Sequence, residues 1–200
     1  MAHFFRNVGH RDYFKCSICS SIMLHPKYYL SPEEERARYE KHNNNPEDIG
    51  YQRFVAPIVT AIKERFAPGD MGLDFGAGTV PVITKLLHDA GYSVQVYDPY
   101  FHNNLGVLQA RYDYIACCEV VEHFHHPVKD FELLRSLLQR DGVLYCKTDI
   151  YMEEIDFAKW YYKNDPTHVF FYHEDAFRWI QQNLGFSKLT IQGRLISFML

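Results

Sequence analysis

Three groups of residues in this chain of 200 carry side chains suited to chemistry. The first is Asp74 with the turn Phe75-Gly76-Ala77-Gly78, answered by a second carboxylate, Asp98, and then Pro99. Glycines project no Cβ, so a ligand can approach that backbone closely, and a carboxylate can accept hydrogen bonds from two neighbouring hydroxyls. The second group is Glu119, Glu122 and His123, to which His168 in Asn164-Asp165-Pro166-Thr167-His168 adds another imidazole. Imidazole titrates near neutrality, so these are candidates for moving protons. The third is Cys16-Ser17-Ile18-Cys19, the spacing that supplies half of a tetrahedral zinc site.

These residues need elements to hold them. Met71 to Phe75 reads as a strand that gives way, through the glycine turn, to a helix with Val82, Ile83, Leu86, Leu87 and Ala90 on one face. Ser93 to Tyr97 is the next strand and delivers Asp98 at its end. A further strand ends in Ala116-Cys117-Cys118, and a helix carrying Val128, Phe131, Leu134 and Leu138 leads to the strand Val143 to Lys147. Short helices are expected over Asp156 to Tyr162 and Glu174 to Leu184, then a hairpin of Lys188 to Gln192 and Leu195 to Leu200 about Gly193-Arg194. The stretch from Pro99 to Tyr112 is too short and polar for a third strand. This alternation predicts an α/β fold: a mostly parallel sheet with helices on both faces and an antiparallel C-terminal hairpin. Upstream, Ser31-Pro32-Glu33-Glu34 has the residues of a capping box and starts a charged helix through Lys41 that stops at Asn43-Asn44-Asn45-Pro46. A second helix carries Phe54, Val55, Ile58, Val59, Ile62 and Phe66, with Pro57 inside it. The division expected is 1–45, holding the Cys-x-x-Cys segment and the capping helix, and 46–200, holding the ligand-binding domain.

Composition narrows the classes. The net charge of −4, without long runs of either sign, leaves no electrostatic footprint for nucleic acid. No apolar run approaches the roughly 20 residues of a membrane span, and Met1 to His10 lacks the apolar core of a signal peptide. Five cysteines, odd in number and sparse, suit a reducing compartment. A soluble cytoplasmic protein is expected, with its oligomeric state open.

A glycine turn ahead of a strand-ending carboxylate suits an adenosine-containing cofactor. A dinucleotide fingerprint would place a third glycine where Pro81 stands, and Asp74 would set negative charge beside a pyrophosphate. The sulfonium and ammonium of S-adenosylmethionine are cationic, so Asp74 favours that ligand.

At this point the residues resemble the class I S-adenosylmethionine-dependent methyltransferases, including their small bacterial members. The resemblance runs from about Tyr28 to Leu200. It rests on Leu73 to Gly78, on Tyr97-Asp98-Pro99, on the run from Tyr112 through Cys118-Glu119-Val120-Val121-Glu122-His123, and on Asp141-Gly142-Val143-Leu144. The chain departs from the usual pattern at Val80, where many members carry glycine, and at Asp141. The resemblance implies a Rossmann-like fold in which Asp74, Phe75, Gly76, Ala77 and Gly78 cradle the cofactor. Asp98 would take its ribose, with Pro99, Cys118 and Glu119 beside it. Relatives often carry a zinc ribbon at the position of Cys16 and Cys19, of which this chain shows half.

Methyl transfer from a sulfonium is an in-line displacement, so the protein chiefly aligns and desolvates, and a base matters only for a protonated acceptor. His123 is the first candidate for that base, His168 the second, and Glu119 completes the set. Trp160, Tyr161, Tyr162, Phe170, Phe171 and Tyr172 surround His168 and read either as an acceptor pocket or as core and lid packing. His125 and His126 read as a solvated loop. Zinc at Cys16 and Cys19, completed by His3, His10 or His25, is less favoured than two free or buried thiols. The leading expectation is a methyltransferase acting on a small-molecule acceptor. The alternatives are a nicotinamide-dependent oxidoreductase and a non-catalytic binding module, the latter kept open by Val80.

Overall fold

A computed structural model of the protein describes residues 1–41 and 45–200. The elements are β1 (Ala2–Val8), β2 (Arg11–Cys16), β3 (Ile22–Leu24), α1 (Pro32–Tyr39), α2 (Ile49–Arg65), β4 (Met71–Phe75), α3 (Val82–Asp89) and β5 (Ser93–Tyr97). They continue with β6 (Tyr112–Cys118), α4 (Pro127–Ser136), β7 (Leu138–Lys147), β8 (Phe170–Phe171), α5 (Glu174–Asn183), β9 (Lys188–Gln192) and β10 (Leu195–Met199).

The main sheet has the order β5-β4-β6-β7-β10-β9. Its first four strands are parallel, and β10 lies antiparallel to both β7 and β9. The apolar runs of the inner strands follow from burial on both faces. Along β6, Tyr114 and Ala116 pack with Val55, Ile58 and Ile62 of α2 and with Ile83 and Leu87 of α3. Their neighbours Ile115 and Cys117 pack on the other face with Phe131 and Leu134 of α4 and Phe177 and Ile180 of α5. Gly72 is required in β4 because a Cβ there would stand 2.1 Å from the Tyr114 ring. This is the Rossmann-like α/β arrangement expected from the sequence. The chain leaves β4 toward β5 and returns to β6 on the other side, so the carboxyl ends of β4 and β6 open a crevice where the strand order reverses.

A second sheet, β1-β2-β3-β8, lies over a cluster that includes Tyr13, Ile22, Leu24, Phe157, Trp160 and Phe171. The sequence reading gave no strands to residues 1–24. The available signal was Gly9-His10, two turn residues both at positive φ (56° and 65°) between aromatic-rich runs, the two-residue hairpin type. Because β8 pairs with β3, this sheet joins residues on both sides of position 45.

Several expectations need correction. The helix expected over Asp156 to Tyr162 is a set of turns followed by a short 3-10 helix, Tyr161–Asn164. Leu138, expected on the α4 stripe, instead opens β7 opposite Tyr112. The stop expected at Asn43-Asn44-Asn45-Pro46 falls partly outside the described residues, and α1 itself ends at Tyr39. Its capping box is present in full: Glu34 N–H donates to Ser31 Oγ at 3.3 Å, and Ser31 N–H donates to the Glu34 carboxylate at 2.9 Å.

Candidate active site

The turn after β4 is tied to the end of β5. Gly76 and Gly78 take φ of 74° and 67°, and the Gly76 N–H donates to the Tyr97 carbonyl at 2.8 Å. Gly78 N–H donates to Asp98 Oδ2 at 2.9 Å. The other oxygen of Asp98 accepts from the amides of Tyr100 (2.8 Å) and Phe101 (3.1 Å). Asp98 therefore clamps the turn from the neighbouring strand, and its two oxygens keep further acceptor capacity.

Asp74 is buried, with Oδ2 accepting from Thr84 Oγ1 (2.8 Å) and Thr84 N–H (3.3 Å). Pro81 at the N-cap of α3 offers no side-chain hydrogen bond, and Asp74 supplies the missing acceptor to the first turn. Burial nevertheless pushes its pKa up to about 6.

A cavity of about 1160 Å³ opens at this edge. Asp74, Phe75, Gly76, Ala77 and Gly78 form one wall, Asp98 and Pro99 a second, and Cys118 and Glu119 a third. His123 and His168 line the same space. The roof is α1. Its Glu35 accepts from Tyr100 Oη at 2.6 Å and pairs with His125 Nε2 at 3.1 Å, while Arg38 reaches Asp165 at 2.7 Å. Burial works against the Glu35 carboxylate, but the hydrogen bonds from His125 and Tyr100 outweigh it and hold its pKa below the usual range. His125 and His126 are exposed in the bend before α4, as expected of a solvated loop, and both reach the rim of the cavity, where the His125 ring hydrogen-bonds Glu35.

Beyond β6 lies a polar cluster. Glu119, at φ 53°, receives one Arg194 guanidinium nitrogen at 2.8 Å to each carboxylate oxygen, with Lys147 Nζ 3.6 Å away. Glu122 is wholly buried and accepts from Thr148 Oγ1 at 3.0 Å and from Tyr162 Oη. Tyr162 Oη also stands 3.4 Å from Glu119, so one phenol links the two carboxylates. Burial first, and for Glu119 the nearby Glu122, raises both carboxyl pKa values well above the ordinary range. The His123 ring is held through Nδ1, 2.9 Å from the Thr167 carbonyl, and His168 through Nδ1, 2.7 Å from the Tyr162 carbonyl. Burial depresses the pKa of His123. The two rings are 4.8 Å apart. Sequence reasoning missed Arg194, Lys147, Glu35 and Arg38. It treated Tyr162 as part of an aromatic group, with no sign of its hydrogen bonds.

Cys16 and Cys19 are free thiols at the turn between β2 and β3, and neither lines the cavity. Among the described residues, His3, His10 and His25 do not join them in a group of three or more metal-ligating side chains.

A family model described as a methyltransferase domain matches residues 48–191. Comparison with curated proteins gives no match. Among solved structures, the chain superimposes on a 1,6-didemethyltoxoflavin-N1-methyltransferase from Burkholderia thailandensis, with S-adenosylhomocysteine and 1,6-didemethyltoxoflavin bound. The TM-score is 0.59 at 12% identity, covering 99% of both chains. A magnesium protoporphyrin IX methyltransferase from Synechocystis PCC 6803, also with S-adenosylhomocysteine, gives 0.55 at 18% identity, covering 86% of this chain and 96% of that one. A SAM-dependent methyltransferase from Archaeoglobus fulgidus gives 0.53 at 15% identity, covering 71% and 75%. At such identities the superpositions establish the fold. Neither they nor the family match supports a nicotinamide oxidoreductase. The family match spans most of the chain, and it runs through the glycine turn, Asp98 and the cluster after β6: the protein belongs to the methyltransferase-domain family.

Proposed function

We propose that the protein transfers the methyl group of S-adenosylmethionine to a small-molecule acceptor in the cytoplasm. The observation that carries this reading is the single cavity in which the glycine turn and Asp98 face the cluster of Glu119, His123 and His168. At about 1160 Å³ it exceeds the range of roughly 300–1,000 Å³ usual for one drug-sized ligand, leaving room for donor and acceptor together. The donor set fits the methyl donor: Asp74, Asp98 and Glu119 place carboxylates around a turn of unhindered backbone, where a sulfonium and an ammonium would lie. Solved neighbours from Burkholderia and Synechocystis hold S-adenosylhomocysteine and are named for small-molecule acceptors.

When bound, the donor supplies an electrophilic methyl on a good leaving group, the C–S electron pair staying on sulfur. The chain's residues do the rest. Asp98 accepts from the ribose hydroxyls with its remaining lone pairs while keeping the turn closed. The roof formed by α1 excludes water. His123, His168 and Glu119 line the same cavity and are the groups available to assist a protonated acceptor in losing its proton. No helix among the described residues is long and apolar enough to cross a membrane, and the five cysteines are free, which suits a reducing compartment. The net charge of −4 supports neither nucleic acid nor a membrane surface as acceptor.

Incubation with S-adenosylmethionine and a metabolite panel, read by mass spectrometry, tests the reading. A product heavier by one methylene, with S-adenosylhomocysteine in equal amount, is expected. Turnover of the donor without any methylated product would contradict it.

A further inference from the structure

Glu122, His123 and His168 bring a carboxylate oxygen and two imidazole nitrogens within 4.8 Å of one another, and Glu122 is wholly buried. A backbone carbonyl can only accept a hydrogen bond. Nδ1 of His123 against the Thr167 carbonyl and Nδ1 of His168 against the Tyr162 carbonyl must therefore carry the protons. In each neutral ring the in-plane lone pair then belongs to Nε2. Metal-binding imidazoles are held in this way, with the far nitrogen anchored and the near one aimed at the ion. Glu122 is oriented in the same manner, through Thr148 Oγ1 and Tyr162 Oη.

One distance is decisive. His168 Nε2 and Glu122 Oε1 are 3.9 Å apart, too far for a hydrogen bond. In the neutral tautomer both are lone-pair donors. A cation midway would lie about 2 Å from each, the length of first-row metal bonds to histidine nitrogen and carboxylate oxygen. We propose that Glu122, His123 and His168 form a binding site for a divalent first-row transition-metal cation at the wall of the cavity. Two imidazoles and one carboxylate select for such ions over magnesium or calcium, which take all-oxygen sets.

His123 and His168 line the cavity, so coordination positions not filled by protein face the acceptor. This step rests on the methyl-transfer reading: the acceptor class that fits is a hydroxyl compound whose oxygen binds the cation and loses its proton more readily. The O–H bond breaks and its proton passes to the Glu119 carboxylate. The oxygen's electron pair forms the new O–CH3 bond as the C–S pair returns to sulfur. The two imidazoles then act through the metal and not as bases.

The test is cobalt(II) titration of chelator-treated protein, followed by visible absorption, with X-ray absorption at the cobalt edge on the wild type. One equivalent bound, with imidazole scattering and no sulfur, is expected. His123→Ala, His168→Ala and Glu122→Gln should each weaken binding by at least about 10-fold, and Cys16→Ser with Cys19→Ser should leave it unchanged. Sulfur scattering, loss of binding in the cysteine variant, or no stoichiometric binding would overturn the proposal. The wild-type spectrum decides even if a ligand variant fails to fold. Calorimetry with S-adenosylhomocysteine on the same samples separates the two readings: cobalt bound with no nucleoside bound keeps the metal site and removes the methyl-transfer role.

Discussion

Asp74 does two things at once at the residue scale. It caps α3 through Thr84, and it sits uncompensated enough in the interior that burial lifts its pKa to about 6. In the unfolded chain an aspartate titrates near 3.9, so the folded state binds this proton more tightly. Stability from this group is therefore present below about pH 4 and lost as pH rises to about 6, a loss of roughly 2–3 kcal/mol at neutral pH. Asp74→Asn keeps an acceptor for Thr84 and removes the charge. Denaturant melts should show the ligand-free variant more stable than wild type at pH 7.5, the difference vanishing near pH 4, while its affinity for S-adenosylmethionine falls. Equal stability at pH 7.5 would show that the carboxylate is not penalised there. Asp98 instead accepts from three backbone amides, which fix its carboxylate at the end of β5. Both carboxylates were legible in the sequence, since each sits beside its turn by chain connectivity. Arg194 was not: it reaches Glu119 across 75 positions, and nothing near Gly193-Arg194 announces that contact.

The strands that position the site were readable at the scale of elements because period and punctuation agree. Met71–Phe75 and Ser93–Tyr97 are bounded as expected, and the turn residues Gly193 and Arg194 join β9 to β10. Gly72 carries more weight than its place in a strand suggests. Gly72→Ala would drive a Cβ into the Tyr114 ring beneath α2, so equilibrium unfolding should show a loss of at least about 1–3 kcal/mol. A neutral result would mean that β4 and β6 can separate at no cost. The roof is more delicate. Ser31→Ala removes one half of the α1 capping box, for a loss of about 1 kcal/mol. Hydrogen exchange should show faster exchange of α1 amides with the main sheet unchanged. Exchange accelerated throughout would instead mean that α1 opens only with global unfolding. Within residues 1–24 only β3 has a distant partner, the two-residue β8, whereas β1 and β2 form a local hairpin whose Gly9-His10 turn signal the sequence reading passed over.

The same long-range pairing ties the whole molecule together. The cluster beneath the small sheet packs Trp160 and Tyr162 against Phe171 and Ile22, and Tyr162 in turn bonds Glu122 and anchors His168. The small sheet thus supports the side of the cavity that holds His168, while the main sheet supports the glycine turn and Asp98. Thermal unfolding followed by tryptophan fluorescence and by far-ultraviolet dichroism should give coincident transitions. Separate transitions would show that the small sheet melts independently of the site. Composition and alternation sufficed for the architecture, because a doubly covered parallel sheet leaves a strong apolar signature in each strand. The walls of the cavity were partly legible for the same reason, through the residues that follow each strand. Its roof and its ion pairs depend on contacts between segments that no local pattern links. Titration calorimetry on wild type and Asp98→Ala tests the central claim most directly. One S-adenosylhomocysteine should bind per wild-type chain, NAD should not bind, and the variant should lose the nucleoside. Binding of NAD alone, or S-adenosylhomocysteine affinity unchanged in Asp98→Ala, would contradict the account.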